Sequence, residues 1–172
     1  MDAVSRRLLK ELRDYRRERT AAALTVASLG PVSDSDLMLW QAAILGSQGT
    51  AYEGGRFDLD IAVPPSYPMQ PPTIRFVGRV CHPNVHFKTG EICLDLLKTA
   101  WSPAWTLQSA CFAIGALLTS PEPDSPLNCD AANLLRCGDT RGYDSLVRMC
   151  TLVHAVPSTS EVVEAERKAR RT

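Results

Sequence analysis

The chain has 172 residues, 45% of them hydrophobic, which is enough to bury one sizeable core and makes one domain the expectation. Lysine plus arginine equals aspartate plus glutamate at 19 each, which argues against a nucleic-acid binder by bulk charge. No run of 18 apolar residues occurs and Met1–Ser5 lacks the apolar core of a signal peptide, so a soluble cytosolic chain without membrane insertion is expected.

Charge is nonetheless uneven. Residues 6 to 19 hold seven basic side chains (Arg6, Arg7, Lys10, Arg13, Arg16, Arg17, Arg19) against three acids (Glu11, Asp14, Glu18). Val4, Leu8, Leu12 and Tyr15 recur among them at helical spacing, predicting an amphipathic first helix of roughly 15 residues. Leu24 to Leu29 reads as a strand ended by Gly30-Pro31, and a second strand covers about Leu37 to Ile44. Phe57, Leu59, Ile61 and Val63 alternate with Asp58, Asp60 and Ala62, the period of a half-buried strand. Ile74 to Val77 supplies a short fourth strand. Consecutive strands on short turns favour an antiparallel meander.

Pro64, Pro65, Pro68, Pro71 and Pro72 fall within nine residues and predict a stiff loop. From Cys81 to Pro103 no clear period exists, and so long an irregular stretch inside a compact domain is usually functional. Helices resume at about Thr106 to Leu118. Ser125 can cap a further helix with Pro126 at its first position and Gly138 just past its end. A last helix runs from about Tyr143 to His154, starting soon after Asp139, and Pro157 stops it. Ser158 to Thr172 is a charged tail, either a short solvent helix or disordered. The order of elements is α+β: helix, four strands, a long irregular segment, three helices.

Six cysteines (81, 93, 111, 129, 137, 150) stand at no regular spacing, so no disulfide framework is expected. Cys111 and Cys150 lie in apolar helical patterns and read as buried, inert thiols. Cys81 and Cys129 are the pair that could approach each other. Cys93 differs. It follows His82-Pro83-Asn84 by nine residues from Asn84, inside Gly90-Glu91-Ile92-Cys93-Leu94-Asp95-Leu96-Leu97, with an acid two residues beyond the thiol. A thiolate attacks carbonyls well and leaves well, which suits a group that must both take and release an acyl chain. Taken alone, a free cysteine is more often a buried structural residue. Asn84 can donate to a developing oxyanion or brace the loop beside the thiol. His82 reads as a hydrogen-bonded structural residue rather than a base. Cys81, His82, His86 and Cys93 lack the close pairing of a folded zinc module, so no metal is expected. No Gly-rich phosphate loop of the P-loop type is present, and no cofactor is expected.

This stretch, within similarity running from about Ser5 to about Ala155, resembles ubiquitin-conjugating enzymes, which carry ubiquitin as a cysteine thioester. The resemblance implies the fold of that family, a catalytic domain over residues 1–156 and the tail over 157–172. It implies that Cys93 is the acceptor thiol, with Asn84, Asp95 and Ser125 completing the site and His82 and Pro83 supporting it. Ser125, 32 residues after Cys93, matches a gate position held by aspartate or serine. An acid there would help deprotonate an incoming lysine, whereas an acceptor thiol depends less on such help. Many relatives place the cysteine one residue closer to the asparagine, so Val85–Thr89 is expected to bulge. Arg6, Arg7 and Lys10 match the basic face shown to the ubiquitin-activating enzyme and to ligases. A run of this kind is otherwise usually a solvated face. Met69, Pro103 and Ala104 fall on the two loops that RING ligases grip, and Trp101 and Trp105 beside them read as packing.

Three further segments, 97–106, 125–130 and 138–143, are similar to the peroxisomal ubiquitin-conjugating enzymes of fungi. That resemblance implies ubiquitination of the peroxisomal import receptor, notably on a cysteine, for its recycling. It also implies recruitment to the cytosolic face of the peroxisomal membrane by a membrane-anchored peroxin. Two alternatives stay open at this point: a non-catalytic ubiquitin-binding scaffold of the same fold, and conjugation of another ubiquitin-like modifier.

Overall fold

The computed structural model describes residues 2–17 and 25–156. Leu24, expected to open the first strand, and the tail from Pro157 onward lie outside the described residues. Helix α1 spans Ala3–Arg17, with Asp2 accepting the Ser5 amide at 2.7 Å to satisfy an orphan donor of its first turn. Leu8, Leu12 and Tyr15 form its buried stripe. Strands β1 (Val26–Ser33), β2 (Asp36–Leu45), β3 (Arg56–Ala62) and β4 (Thr73–Phe76) follow. They pair antiparallel in the order β1-β2-β3-β4, the expected meander. The remaining elements are a 3-10 turn at Asp95–Leu97 and helices α2 (Leu107–Thr119), α3 (Cys129–Arg136) and α4 (Thr140–His154).

One face of the sheet forms the core. Phe57, Leu59 and Ile61 of β3 are buried, while Asp58 and Asp60 between them are exposed and half-buried. Helix α2 packs across β1 and β2 and contributes Leu107, Ala110, Cys111, Ile114, Leu117 and Leu118. Full burial of such side chains is worth roughly 1.5–3 kcal/mol each. Thr106 and Ser109 form a reciprocal capping box that fixes where α2 begins.

Three boundaries differ from expectation, each for a local reason. Strand β1 continues through Gly30-Pro31, with Pro31 opposite Trp40 and a register irregularity before Ser33. It is an outer strand, needing ladder bonds on one side only, and outer strands tolerate proline. Helix α3 starts at Cys129, capped by Asn128 Oδ1 accepting from the Ala131 amide at 3.2 Å, so Ser125 is not its cap. The amides of Leu127 and Asn128 instead donate to the Pro83 carbonyl, at 2.8 and 3.0 Å, and cannot serve a helix. Helix α4 starts at Thr140 because Asp139 Oδ1 accepts the Gly142 amide at 2.8 Å. Gly138 does stand just past α3, at a φ of 76° that side chains resist.

No disulfide joins Cys81 and Cys129, whose thiols are both free. Cys81 is buried with Cys150 as its thiol neighbour, and Cys129 is exposed. Burial and that neighbour push the Cys81 thiol up, and burial alone pushes Cys111 up to about 12. Both are inert at neutral pH.

Candidate active site

The His82-Pro83-Asn84 turn lies in the interior with its polar side-chain atoms and its carbonyls all spent. His82 Nε2 donates to the Leu117 carbonyl at 2.9 Å, and its Nδ1 accepts from the Asn84 amide at 3.0 Å. A carbonyl only accepts and an amide N–H only donates, so the proton sits on Nε2. Burial pulls the His82 pKa down to about 4, so the ring is neutral at physiological pH and both nitrogens are occupied. That excludes it as a free base and as a metal ligand. Asn84 is 1% exposed. Its Nδ2 donates to the Glu122 carbonyl at 2.8 Å and the Ser125 carbonyl at 3.2 Å, while Oδ1 accepts the Glu122 amide at 2.8 Å. With the Pro83 carbonyl already holding Leu127 and Asn128, one three-residue turn secures the whole lip from 122 to 128.

Cys93 is placed by a hairpin rooted in that turn. Val85 bridges to Ile92, His86 N donates to Glu91 O at 2.9 Å, and Gly90 N returns to His86 O at 2.9 Å. At the tip, Thr89 N donates to His86 Nδ1 at 3.1 Å. Gly90 has a φ of 73°, and a Cβ there would run into the Phe76 carbonyl. Only glycine lets the hairpin lie against β4, where Phe76 N donates to Gly90 O at 2.9 Å. At the base, Cys93 N donates to Asn84 O at 2.8 Å. The thiol is half-buried, neither sealed in the core nor fully solvated.

Asn84 therefore joins two of the residues expected at the site, through its backbone to Cys93 and its amide to Ser125. Ser125 is exposed on the lip. Asp95 is exposed at the start of the 3-10 turn, where its carbonyl accepts the amides of Lys98 and Ala100 at 2.9 Å each. A further connection was not anticipated from sequence. Tyr52 Oη donates to the Cys81 carbonyl at 2.9 Å and meets Tyr143 Oη of α4 at 3.1 Å, bracing the approach to His82 from behind.

The expected docking residues divide. Met69 is 74% exposed, and Pro103, Ala104, Arg6 and Lys10 are also exposed. Arg7 is committed internally. Its Nε pairs with Glu11 at 2.6 Å, and its Nη2 donates to the carbonyls of Pro103 and Trp105 at 3.2 and 2.9 Å. It pins the second loop to α1. Glu11 went unremarked in the sequence beyond its charge, yet it is a buried hub. It also accepts from Tyr67 Oη at 2.7 Å and the Leu107 amide at 2.9 Å. A buried carboxylate is costly unless so satisfied. The available signal was an acid on the same helical face as Leu8, Leu12 and Tyr15. Trp101 completes the frame by donating to the Pro68 carbonyl at 2.8 Å, tying the Met69 loop to the Pro103 loop.

The neutral His82 carries a pH prediction. Its folded pKa of about 4 lies below the ordinary 6.5, so between those values the unfolded chain binds the extra proton. The contribution is complete above pH 6.5 and is lost as pH falls toward 4, by about 3 kcal/mol in all. Urea unfolding at stepped pH should show this loss in the wild type and a flatter profile in His82→Gln. Parallel profiles for the two proteins would contradict it.

The family model described as Ubiquitin-conjugating enzyme matches residues 7–151. Protein PEROXIN-4 of Arabidopsis thaliana is 54% identical over 157 residues, covering 91% of this chain and 98% of the relative. Ubiquitin-conjugating enzyme E2 pex4 of Dictyostelium discoideum is 57% identical over 148 residues, covering 86% and 97%. Among solved structures, the H. polymorpha ubiquitin conjugating enzyme Pex4p, crystallised with the soluble domain of Pex22p, superposes with a TM-score of 0.83. It is 40% identical, with 88% of this chain and 97% of that one covered. With its helix, antiparallel meander, irregular segment and three C-terminal helices shared with that structure, the chain belongs to the ubiquitin-conjugating enzymes.

Proposed function

We propose that Cys93 carries ubiquitin as a thioester, and that its role is set by its place at the end of the hairpin rooted in Asn84. The Cys93 sulfur, having lost its proton, attacks the thioester carbonyl that joins ubiquitin's C-terminus to the activating enzyme's cysteine. A new C–S bond forms, the old one breaks, and the activating enzyme's thiolate departs. In the second step an acceptor amine or thiol attacks the same carbonyl, and Cys93 leaves as thiolate. ATP is consumed upstream, so this chain supplies geometry rather than a nucleotide site.

Asn84 acts in this scheme by bracing the lip, since its amide is already spent on Glu122 and Ser125. Ser125 offers a polar contact but no carboxylate, which suits a cysteine acceptor that ionises more readily than lysine. Asp95 supplies an acid beside the thiol. A RING ligase grips Met69, Pro103 and Ala104, while Arg6 and Lys10 meet the activating enzyme. The acceptor is the peroxisomal import receptor, modified for its recycling. This reading is supported by the similarity to the peroxin-4 proteins of Arabidopsis thaliana and Dictyostelium discoideum and by the Ser125 lip.

Recruitment falls to a membrane-anchored tether. No helix among the described residues is long and apolar enough to cross a membrane. Met149, Leu152, Val153 and Val156 recur at helical spacing along α4 and just beyond it, 55%, 63%, 66% and 41% exposed. An exposed apolar stripe of this kind fits a protein partner, and it lies on a different element from the ligase loops. The similar enzyme from H. polymorpha was crystallised with such a soluble partner domain.

Two measurements test the proposal. Incubation with ubiquitin, activating enzyme and ATP should give an adduct on a non-reducing gel that thiol treatment removes and Cys93→Ala lacks. An adduct that persists in Cys93→Ala, or loading of a different modifier in preference to ubiquitin, would refute the assignment. For the tether, Leu152→Lys with Val153→Lys should weaken binding to a soluble tether domain by tenfold or more, on the order of 1.4 kcal/mol, and leave loading intact. Wild-type affinity in that variant would place the tether elsewhere.

A further inference from the structure

The hairpin that ends at Cys93 has two lateral anchors, and only one of them is backbone. On the β4 side, Phe76 N donates to Gly90 O at 2.9 Å and Arg75 bridges to Glu91. Beside it stands a side-chain stack. The half-buried Phe87 ring, at the hairpin tip, lies under the Arg79 guanidinium with Cζ 5.7 Å from its centroid. It also meets the His154 ring at the end of α4, centroids 6.3 Å apart and planes at 74°. Cation–π and edge-to-face contacts each depend on the ring's quadrupole, not merely on its bulk. Arg79 lies between β4 and Cys81, Phe87 in the irregular segment, and His154 at the end of α4.

We infer that Phe87 is a positioning residue for Cys93: its contacts with Arg79 and His154 stop the hairpin from rocking about its β4 edge. The lever is short. Val85 and Ile92 bridge across the hairpin, and the next residues along the two arms are Asn84 and Cys93, joined by the 2.8 Å bond from Cys93 N to Asn84 O. Any tilt at residues 86–90 is therefore transmitted to the thiol and to the asparagine that holds the lip. Phe87 touches neither ubiquitin nor the reacting atoms in this scheme. It acts through the backbone, and small displacements of a reacting atom are expensive in rate. The inference rests on Cys93 being the carrier thiol.

The test compares the full-length wild type with Phe87→Ala, Phe87→Leu, Phe87→Tyr and Cys93→Ala. Each protein is loaded at saturating activating enzyme, and single-turnover discharge to free cysteine and free lysine is followed alongside thermal unfolding. Phe87→Ala is expected to discharge roughly five- to tenfold more slowly, with an unchanged KM for the activating enzyme. Phe87→Leu keeps the apolar bulk without the quadrupole and should stay slow, whereas Phe87→Tyr should recover. His154→Ala should slow the wild type but add little to Phe87→Ala, as expected for partners in one contact. Wild-type discharge by Phe87→Leu, or slowing of Phe87→Ala only in proportion to its unfolded fraction, would reduce Phe87 to packing and overturn the inference. A wild type that fails to load, or a Cys93→Ala that loads, would instead remove the carrier reading beneath it.

Discussion

The hydrogen bonds that tie the His82-Pro83-Asn84 turn to Leu117 and to the 122–128 lip are the constraint on which the remaining geometry depends. Four segments meet there without any regular ladder: the turn, the end of α2, the lip before α3, and the strand of hairpin that bears Cys93. Irregular backbone in an interior must find a partner for each N–H and C=O or lose stability. The turn supplies those partners in a compact way. Proline lacks a donor, so its carbonyl is the group to satisfy, and it takes two amides, from Leu127 and Asn128. Histidine contributes one donor and one acceptor from a single neutral ring. Asparagine, the one side chain here with an acceptor and two donors on one plane, spends all three on the lip. Among the described residues no buried side-chain polar atom is left without a partner.

A second polar hub organises the meeting of α1, the proline-rich loop and the start of α2. Glu11 gathers Arg7, Tyr67 and the first amide of α2, and Trp101 reaches back to Pro68. Burial and the Glu11 carboxylate push the Tyr67 hydroxyl up, so it remains a donor across the physiological range. The result is a pair of proline-stiffened loops held in register with α1, displaying Met69, Pro103 and Ala104. Rigid presentation lowers the ordering cost of short-lived docking, which suits the partner exchange proposed for a thioester carrier. The two hubs share no residue. The His82-Pro83-Asn84 turn and the two proline-stiffened loops are thus supported by different interactions on one sheet and one central helix.

Much of this was legible where local pattern and tertiary role coincide. The stripe of Leu8, Leu12 and Tyr15 and the alternation of Phe57, Leu59 and Ile61 are burial patterns, and burial is what they encode. Cys93 stood out because its surroundings are unusual at the level of sequence. What escaped the sequence was decided by contacts between distant segments. Pro31 reads as a strand stop only if both sides of the strand need amides, and β1 has one neighbour. Ser125-Pro126 has the look of a helix start, but the Pro83 carbonyl captures the next two amides first. Arg7 was offered as a docking cation by the family resemblance, and its contacts to Glu11 and to the carbonyls of Pro103 and Trp105 leave no mark in local sequence. The choice between oxyanion donor and brace for Asn84 turned on acceptors 38 and 41 residues away.

That choice is also the point at which the account is most exposed. Amide hydrogen exchange across residues 122–128, measured for wild type and Asn84→Ala beside single-turnover discharge of the Cys93 thioester, tests it directly. The account predicts that exchange on the lip accelerates in the variant and that discharge slows with it, because the amide works by holding backbone. Slow discharge from a lip whose exchange is unchanged would contradict it, and would return Asn84 to the reacting carbonyl.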